Sequence, residues 1–170
     1  MSSREELEVR VVDPDEVRDV VSVLCESFFD YPVMRFVLGE QRDYGPRLDD
    51  LITLFTMSRV LRHQEMLGVG PRGALWGVAL VSYPGGEGQP SPAELEELRA
   101  ETWSRLGPDA RSRYDLFVRA SDPFHIDDGH HYLGMIGVRV SNQGQGLGRV
   151  LLERVHALSR ADPGSVGVGL

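Results

Sequence analysis

Apolar and polar residues alternate singly over 7–12, with Leu7, Val9 and Val11 on one side, which predicts a half-buried strand. At Val17 the period becomes helical: Val17, Val20, Val21, Leu24 and Phe28 form one stripe. The tetrapeptide before it, Asp13-Pro14-Asp15-Glu16, supplies a capping side chain, a proline suited to the first helical position and a glutamate three residues after the cap. This helix should end before Tyr31-Pro32, because a residue preceding proline resists the α conformation. A short helical piece over 33–38 stops at Gly39, and 40–46 reads as loop. A longer helix follows from about residue 47 to 63, with Leu48, Leu51, Ile52, Phe55 and Arg59 on one side.

The next segments change period again. Residues 66–69 read as a weak strand and 74–83 as a nearly continuous apolar one. Gly70-Pro71-Arg72-Gly73 between them makes the pair a hairpin. After a loop over 84–90, Ser91-Pro92 and Glu94 repeat the helix-start pattern, and Leu95, Leu98, Thr102 and Leu106 make a stripe. Gly107-Pro108 breaks that helix, and Ala110, Tyr114, Phe117 and Ser121 line a second. Residues 130–140 return to strand. Leu147, Leu151, Val155 and Leu158 mark a last helix, and 166–170 begin a further strand. No repeat, low-complexity tract or linker interrupts this order, so 1–170 reads as a single mixed α/β domain.

Three glycines, Gly144, Gly146 and Gly148, stand between the 130–140 strand and the last helix. Glycine costs roughly 1 kcal/mol in a helix interior relative to alanine, so their placement needs a reason. A strand, a glycine-rich turn and a helix start together form an anion site. Backbone N–H groups converge there, the helix dipole favours negative charge, and the missing side chains let a phosphate approach. A nucleotide P-loop requires a lysine, and the chain contains none. The dinucleotide fingerprint requires a third glycine at a spacing that neither Gly144 nor Gly146 satisfies.

Composition narrows the classes further. The formal net charge of −8 argues against non-specific nucleic-acid binding, which needs basic patches. No apolar run approaches the ~20 residues of a membrane span, and the charged N-terminus is no secretory signal. The expectation is a cytoplasmic protein. The single Cys25 permits no internal disulfide and falls on an apolar stripe, so it reads as a core thiol.

The pattern Gln143-x-x-Gly146-x-Gly148, after the strand Met135–Val140 and before an amphipathic helix, resembles the acyl-CoA-binding motif of the GNAT superfamily of N-acetyltransferases. The order of elements from residue 7 to 170 is similar to that family, and the helical pair at 92–121 resembles the insert of one subgroup. The resemblance implies a central, mostly antiparallel twisted sheet with a splayed parallel pair, flanked by helices. It implies acetyl-CoA as co-substrate, no metal, and direct acetyl transfer to a primary amine of a small molecule or peptide. The backbone of Ile136 and Val138 would pair with the pantetheine arm. The N–H groups of Gln143, Gly144, Gly146, Gly148 and Arg149 would hold the pyrophosphate, with Arg149 and Arg139 as added charges or as solvated surface residues. An amine is protonated at neutral pH, so a base is required. His130 and His131 are the candidates, with His125, Asp127 and Asp128 nearby and local hydrogen bonding as the competing role for each histidine. Tyr31 and Tyr44, read as loop residues, are candidate acceptor contacts, whereas Phe28 and Phe36 read as core. A complete domain of this kind continues for a helix and two strands past residue 170. The expectation is therefore a C-terminally incomplete domain: a fragment, a chain completed by a second subunit in a homodimer, or a natural truncation that binds CoA with weak or no catalysis.

Overall fold

A computed structural model describes residues 8–86 and 89–170. The elements run β1 (Arg10–Val11), α1 (Val17–Phe28), α2 (Pro32–Leu38), α3 (Tyr44–Leu61), β2 (Met66–Val69), β3 (Gly77–Ser82), α4 (Ala93–Leu106), α5 (Pro108–Ser121), β4 (His131–Val138), α6 (Leu147–Ala161) and β5 (Val168–Gly169). The strands lie in the order β1-β2-β3-β4-β5. The first three pairings are antiparallel, and β4 with β5 is parallel, over His131↔Val168 and Tyr132↔Gly169.

The sheet is covered on both faces. One face packs α1, α2, α3 and the helical pair over Val78, Leu80 and Met135. The other packs α6 over Leu67, Val69, Ala79, Val81 and Leu133. This explains why β3 reads as a continuous apolar run rather than an alternating one: both sides of a central strand are buried.

A register break sets which β4 residues face which layer. Leu80 pairs with Met135 but Val81 pairs with Leu133, so Gly134 is an extra residue in β4. Parity flips there. Leu133 belongs to the α6 side, Met135 to the α1 side, and Ile136 to the α6 side again.

Several sequence expectations shift. Of the first strand, Arg10–Val11 pairs with β2. Val9 packs toward α6 and Val11 is exposed, while Leu7 lies outside the described residues. The third helix begins at Tyr44 rather than 47, because Pro46 falls in the first turn, where no intrahelical donor is needed. In α5 the inner edge is Ala110 and Tyr114, whereas Leu116, Phe117 and Val118 are exposed. Phe36, expected in the core, is exposed as well.

A candidate acyl-CoA site at the end of the fourth strand

The end of β4 is held against α1 by close approach and by charge. An ideal Cβ on Gly137 would lie 2.6 Å from Ser27 Oγ and 3.2 Å from Leu24 Cδ2, so only glycine admits α1 at this distance. Ser27 Oγ lies 3.1 Å from the Val138 carbonyl. Arg139 then donates to Asp19 at 2.8 Å, Glu26 at 3.1 Å and the Leu75 carbonyl at 2.8 Å, while Val140 N–H donates to Glu26 at 2.7 Å. Arg139 is therefore committed to tying the strand end to α1 and to the hairpin turn. It is neither a solvated arginine nor free to meet a phosphate.

The glycine turn follows this anchor. Gly146 occupies the N-cap of α6 with φ +81°, a left-handed conformation that costs other residues about 1–2 kcal/mol. The first bond of the helix runs from Val150 N–H to the Gly146 carbonyl at 3.1 Å. The N–H groups of Leu147, Gly148 and Arg149 thus have no acceptor within the helix, and no side chain caps them. Side chains built on Gly144 or Gly146 would meet nothing within 4 Å. The result is an uncovered set of donors at the positive end of a helix dipole. Arg149 is exposed and pairs with Glu153 at 2.8 Å.

A second feature adjoins this turn. Arg139 N–H donates to the Trp76 carbonyl at 2.8 Å. Along an antiparallel ladder, residues alternate between bonding the neighbour and facing away from it. Opposite β3, that alternation turns the N–H and C=O groups of Val138 and Ile136 toward the other edge of β4. Beyond Tyr132 that edge pairs with no strand among the described residues. A strand-like ligand segment can pair there. Gln143 already uses one of its acceptors, since Gln143 Nε2 donates to the Val138 carbonyl at 3.1 Å.

No family model matches the sequence, and no curated protein matches it. Solved structures do match by shape. A Corynebacterium glutamicum protein described as histone acetyltransferase HPA2 and related acetyltransferase superposes with a TM-score of 0.58 at 22% identity, covering 91% of this chain and 71% of that one. Arylalkylamine N-acetyltransferase 2 from Aedes aegypti gives a TM-score of 0.50 at 20% identity, covering 91% and 70%. The fold is the GNAT acetyltransferase fold. The five-stranded mixed sheet with its β4–β5 parallel pair is the architecture expected from the sequence.

Within this GNAT fold the two histidines lie at the opposite end of β4 from the glycine turn. His131 is fully buried. Its Nδ1 is 2.9 Å from Ser165 Oγ, its Nε2 is 4.0 Å from Asp162, and its ring meets the edge of Tyr83 at 4.8 Å between centroids. Burial pushes its pKa down, partly offset by Asp162, so it is held neutral. His130 Nδ1 lies 2.9 Å from the Asp128 carbonyl. A carbonyl only accepts, so Nδ1 is the donor of this bond.

The two tyrosines separate. Tyr31 caps α2, is 46% exposed, and sets its ring edge-on to Phe28 at 5.2 Å. Tyr44 is only 4% exposed; its hydroxyl donates to the Phe29 carbonyl at 2.9 Å, and the Arg35 guanidinium lies 3.9 Å above its ring. It is a core residue in a helix, not a loop contact. One cleft, about 710 Å³, is lined by Leu61, Arg62, Pro90 and Glu94, among others, and shares no residue with the glycine turn. Its size locates a groove between α3 and α4, whereas the uncovered donors locate the anion site. Cys25 packs against the core, and burial pushes its thiol up to about 12, which keeps it unreactive. Among the described residues no helix is long and apolar enough to cross a membrane.

Proposed function

We propose that the chain is an acetyl-CoA-dependent N-acetyltransferase acting on a primary amine of a small molecule or peptide. One observation carries the reading: the uncapped donors at Gly146–Arg149 adjoin an outward-facing strand edge at Ile136 and Val138. One element suits a pyrophosphate and the other suits a pantetheine amide arm. The acetyltransferase neighbours, one of them an arylalkylamine N-acetyltransferase, support the same chemistry.

In this reading the N–H groups of Gln143, Gly144, Gly146, Gly148 and Arg149 bind the pyrophosphate. The Gln143 amide swings off the Val138 carbonyl to admit the pantetheine. The neutral amine attacks the thioester carbonyl, the C–N bond forms and the C–S bond breaks. The amine proton goes to a base, and CoA leaves as thiolate and is reprotonated. His130 Nε2 is the candidate base, and Tyr31 is the candidate acceptor contact. A second reading, a CoA-binding module with little turnover, is favoured by the local engagement of both histidines.

Calorimetric titration with acetyl-CoA, CoA and ATP tests the assignment. Acetyl-CoA should bind near micromolar, about −8 kcal/mol, with ATP silent. Gly146→Ala should weaken acetyl-CoA about tenfold, because the left-handed N-cap no longer presents its donors. Absence of acetyl-CoA binding by the wild type sinks the proposal. Binding without acetylation across an amine panel selects the module.

A further inference from the structure

The stripe of α3 that carries Leu48, Leu51, Ile52 and Phe55 ends in an arginine. Arg59 lies over the bulge in β4. Its Nη2 is 2.5 Å from where a Cβ on Gly134 would stand, so the guanidinium tip sits directly against the bulge. The side chain is half-buried and its Nε is fully buried, with no hydrogen-bond partner. None of the ion pairs among the described residues includes Arg59. Among the described residues, the charged and titratable groups that act on it are Tyr132, Arg62 and Tyr114, with no carboxylate among them.

Arg47 Nε is likewise buried without a partner, but the Arg47 guanidinium donates to the Leu106 carbonyl at 2.9 Å, whereas the Arg59 guanidinium forms no hydrogen bond among the described residues. Arg10, Arg35, Arg72, Arg105 and Arg139 each hold a carboxylate at the surface or rim. Arg59 is desolvated against the sheet and holds none among the described residues. Burial disfavours its charged form, and an arginine cannot escape by losing its proton. A partly buried cation with no anion is costly to keep, and a group that destabilises the fold is retained where a ligand completes it. The surroundings also define a binding wall. Phe55, one turn earlier on α3, lies tilted against Tyr114 with ring centroids 6.0 Å apart, and the exposed Tyr132 flanks Gly134.

The position connects this cation to the proposed acetyl transfer. A pantetheine arm that pairs with Val138 and then Ile136 runs toward Gly134, about 3.3 Å per residue along the strand. Its acyl end therefore arrives beside the bulge, under the guanidinium. We infer that Arg59 binds an anionic group of the acceptor, so that the substrate class is an amine that also carries a carboxylate, held against Phe55, Tyr114 and Tyr132. This rests on the acetyltransferase reading for the amine, while the anion site itself stands on the geometry of Arg59 alone.

The test uses matched pairs of primary amines, each as the free carboxylate and as its carboxamide, from β-alanine to glycyl-phenylalanine. Binding is read by calorimetry on the full chain with and without acetyl-CoA, and turnover by acetyl transfer. The carboxylate member should be preferred roughly tenfold or more, in binding without acetyl-CoA as well as in kcat/KM. Arg59→Met should abolish the preference, Arg59→Lys should retain part of it, and acetyl-CoA affinity should stay unchanged in both. Arg59→Met should also be at least as resistant to urea as the wild type, because it removes an unpaired charge. Equal binding of acid and amide overturns the inference, as does a preference that survives Arg59→Met. So does a large loss of stability in Arg59→Met, which would make Arg59 structural. If acetyl-CoA fails to bind but carboxylates still bind through Arg59, the transferase reading falls and the anion site stands.

Discussion

At the scale of single residues, Glu16 shows how one side chain can close several open donors. Its carboxylate accepts both Arg10 guanidinium nitrogens at 2.7 Å, Asp13 N–H at 3.3 Å and Gly73 N–H at 3.2 Å, and it is buried. The Arg10 hydrogen bonds, helped by the two backbone donors, hold its pKa at about 2, against an ordinary 4.5. The folded state therefore prefers the ionised form. Its stabilisation is complete above about pH 4.5 and is lost as pH falls toward 2. Allowing for the partial exposure of Arg10, this is about 2 kcal/mol. Urea unfolding of Glu16→Gln should show that loss at neutral pH and a flatter acid limb between about pH 5 and 2. An unchanged acid limb would show that another carboxylate governs it. The capping role of Glu16 is visible in the local Asp-Pro-Asp-Glu order. Its contact with Gly73 joins residues 57 apart in the chain and is invisible there.

At the scale of elements, the joint between α1 and β4 decides where the glycine turn sits. Gly137 admits Ser27 and Leu24, and Arg139 bridges Asp19, Glu26 and Leu75. Gly137→Ala should cost about 1–3 kcal/mol by overpacking. It should also weaken acetyl-CoA, because the strand edge and the turn move with the joint. Differential scanning calorimetry paired with acetyl-CoA titration separates the two effects, and a variant with native stability and native affinity would show that the joint yields freely. Arg139 also shows why charge is hard to read locally. Beside a glycine turn it looks like a phosphate contact, yet its carboxylate partners come from α1, over a hundred residues earlier. Tyr44 misleads for a related reason. Its Tyr-Gly-Pro context reads as loop, but Pro46 is harmless in a first helical turn, so the helix absorbs the tyrosine.

At the scale of the whole molecule, two hydrophobic layers share one sheet. Leu48 lies at the centre of the α1–α3 layer, and Leu151 joins α6 to the other face; both are fully buried. Leu48→Ala and Leu151→Ala should each cost about 2–5 kcal/mol. Because the layers are separated by the sheet, their double variant should be additive within about 0.5 kcal/mol. Denaturant midpoints measure this directly, and a coupling well above that value would mean that the sheet transmits strain between its faces. The exposed residues of α5 follow from the same arrangement. Ala110 and Tyr114 are the residues of that helix that join the core, while Leu116, Phe117 and Val118 remain exposed.

What the sequence determined by itself is periodic or local. The helical stripes, the hairpin around Gly70-Pro71-Arg72-Gly73, the continuous apolar run of β3 and the strand–glycine turn–helix order all depend on neighbours a few residues apart. They sufficed for the fold class and for a resemblance that the shape comparison bears out. What only the tertiary structure decided are contacts between distant segments. The bulge at Gly134 needs the register of β4 against β3. The outward-facing groups of Ile136 and Val138 need the same ladder, and the commitment of Arg139 needs α1. Arg59 combines both kinds of information. Its place on one side of the third helix with Leu48, Leu51, Ile52 and Phe55 was legible. That it meets a glycine across the fold and finds no counter-charge among the described residues is a property of packing, because partners are recognised only once distant segments are brought together.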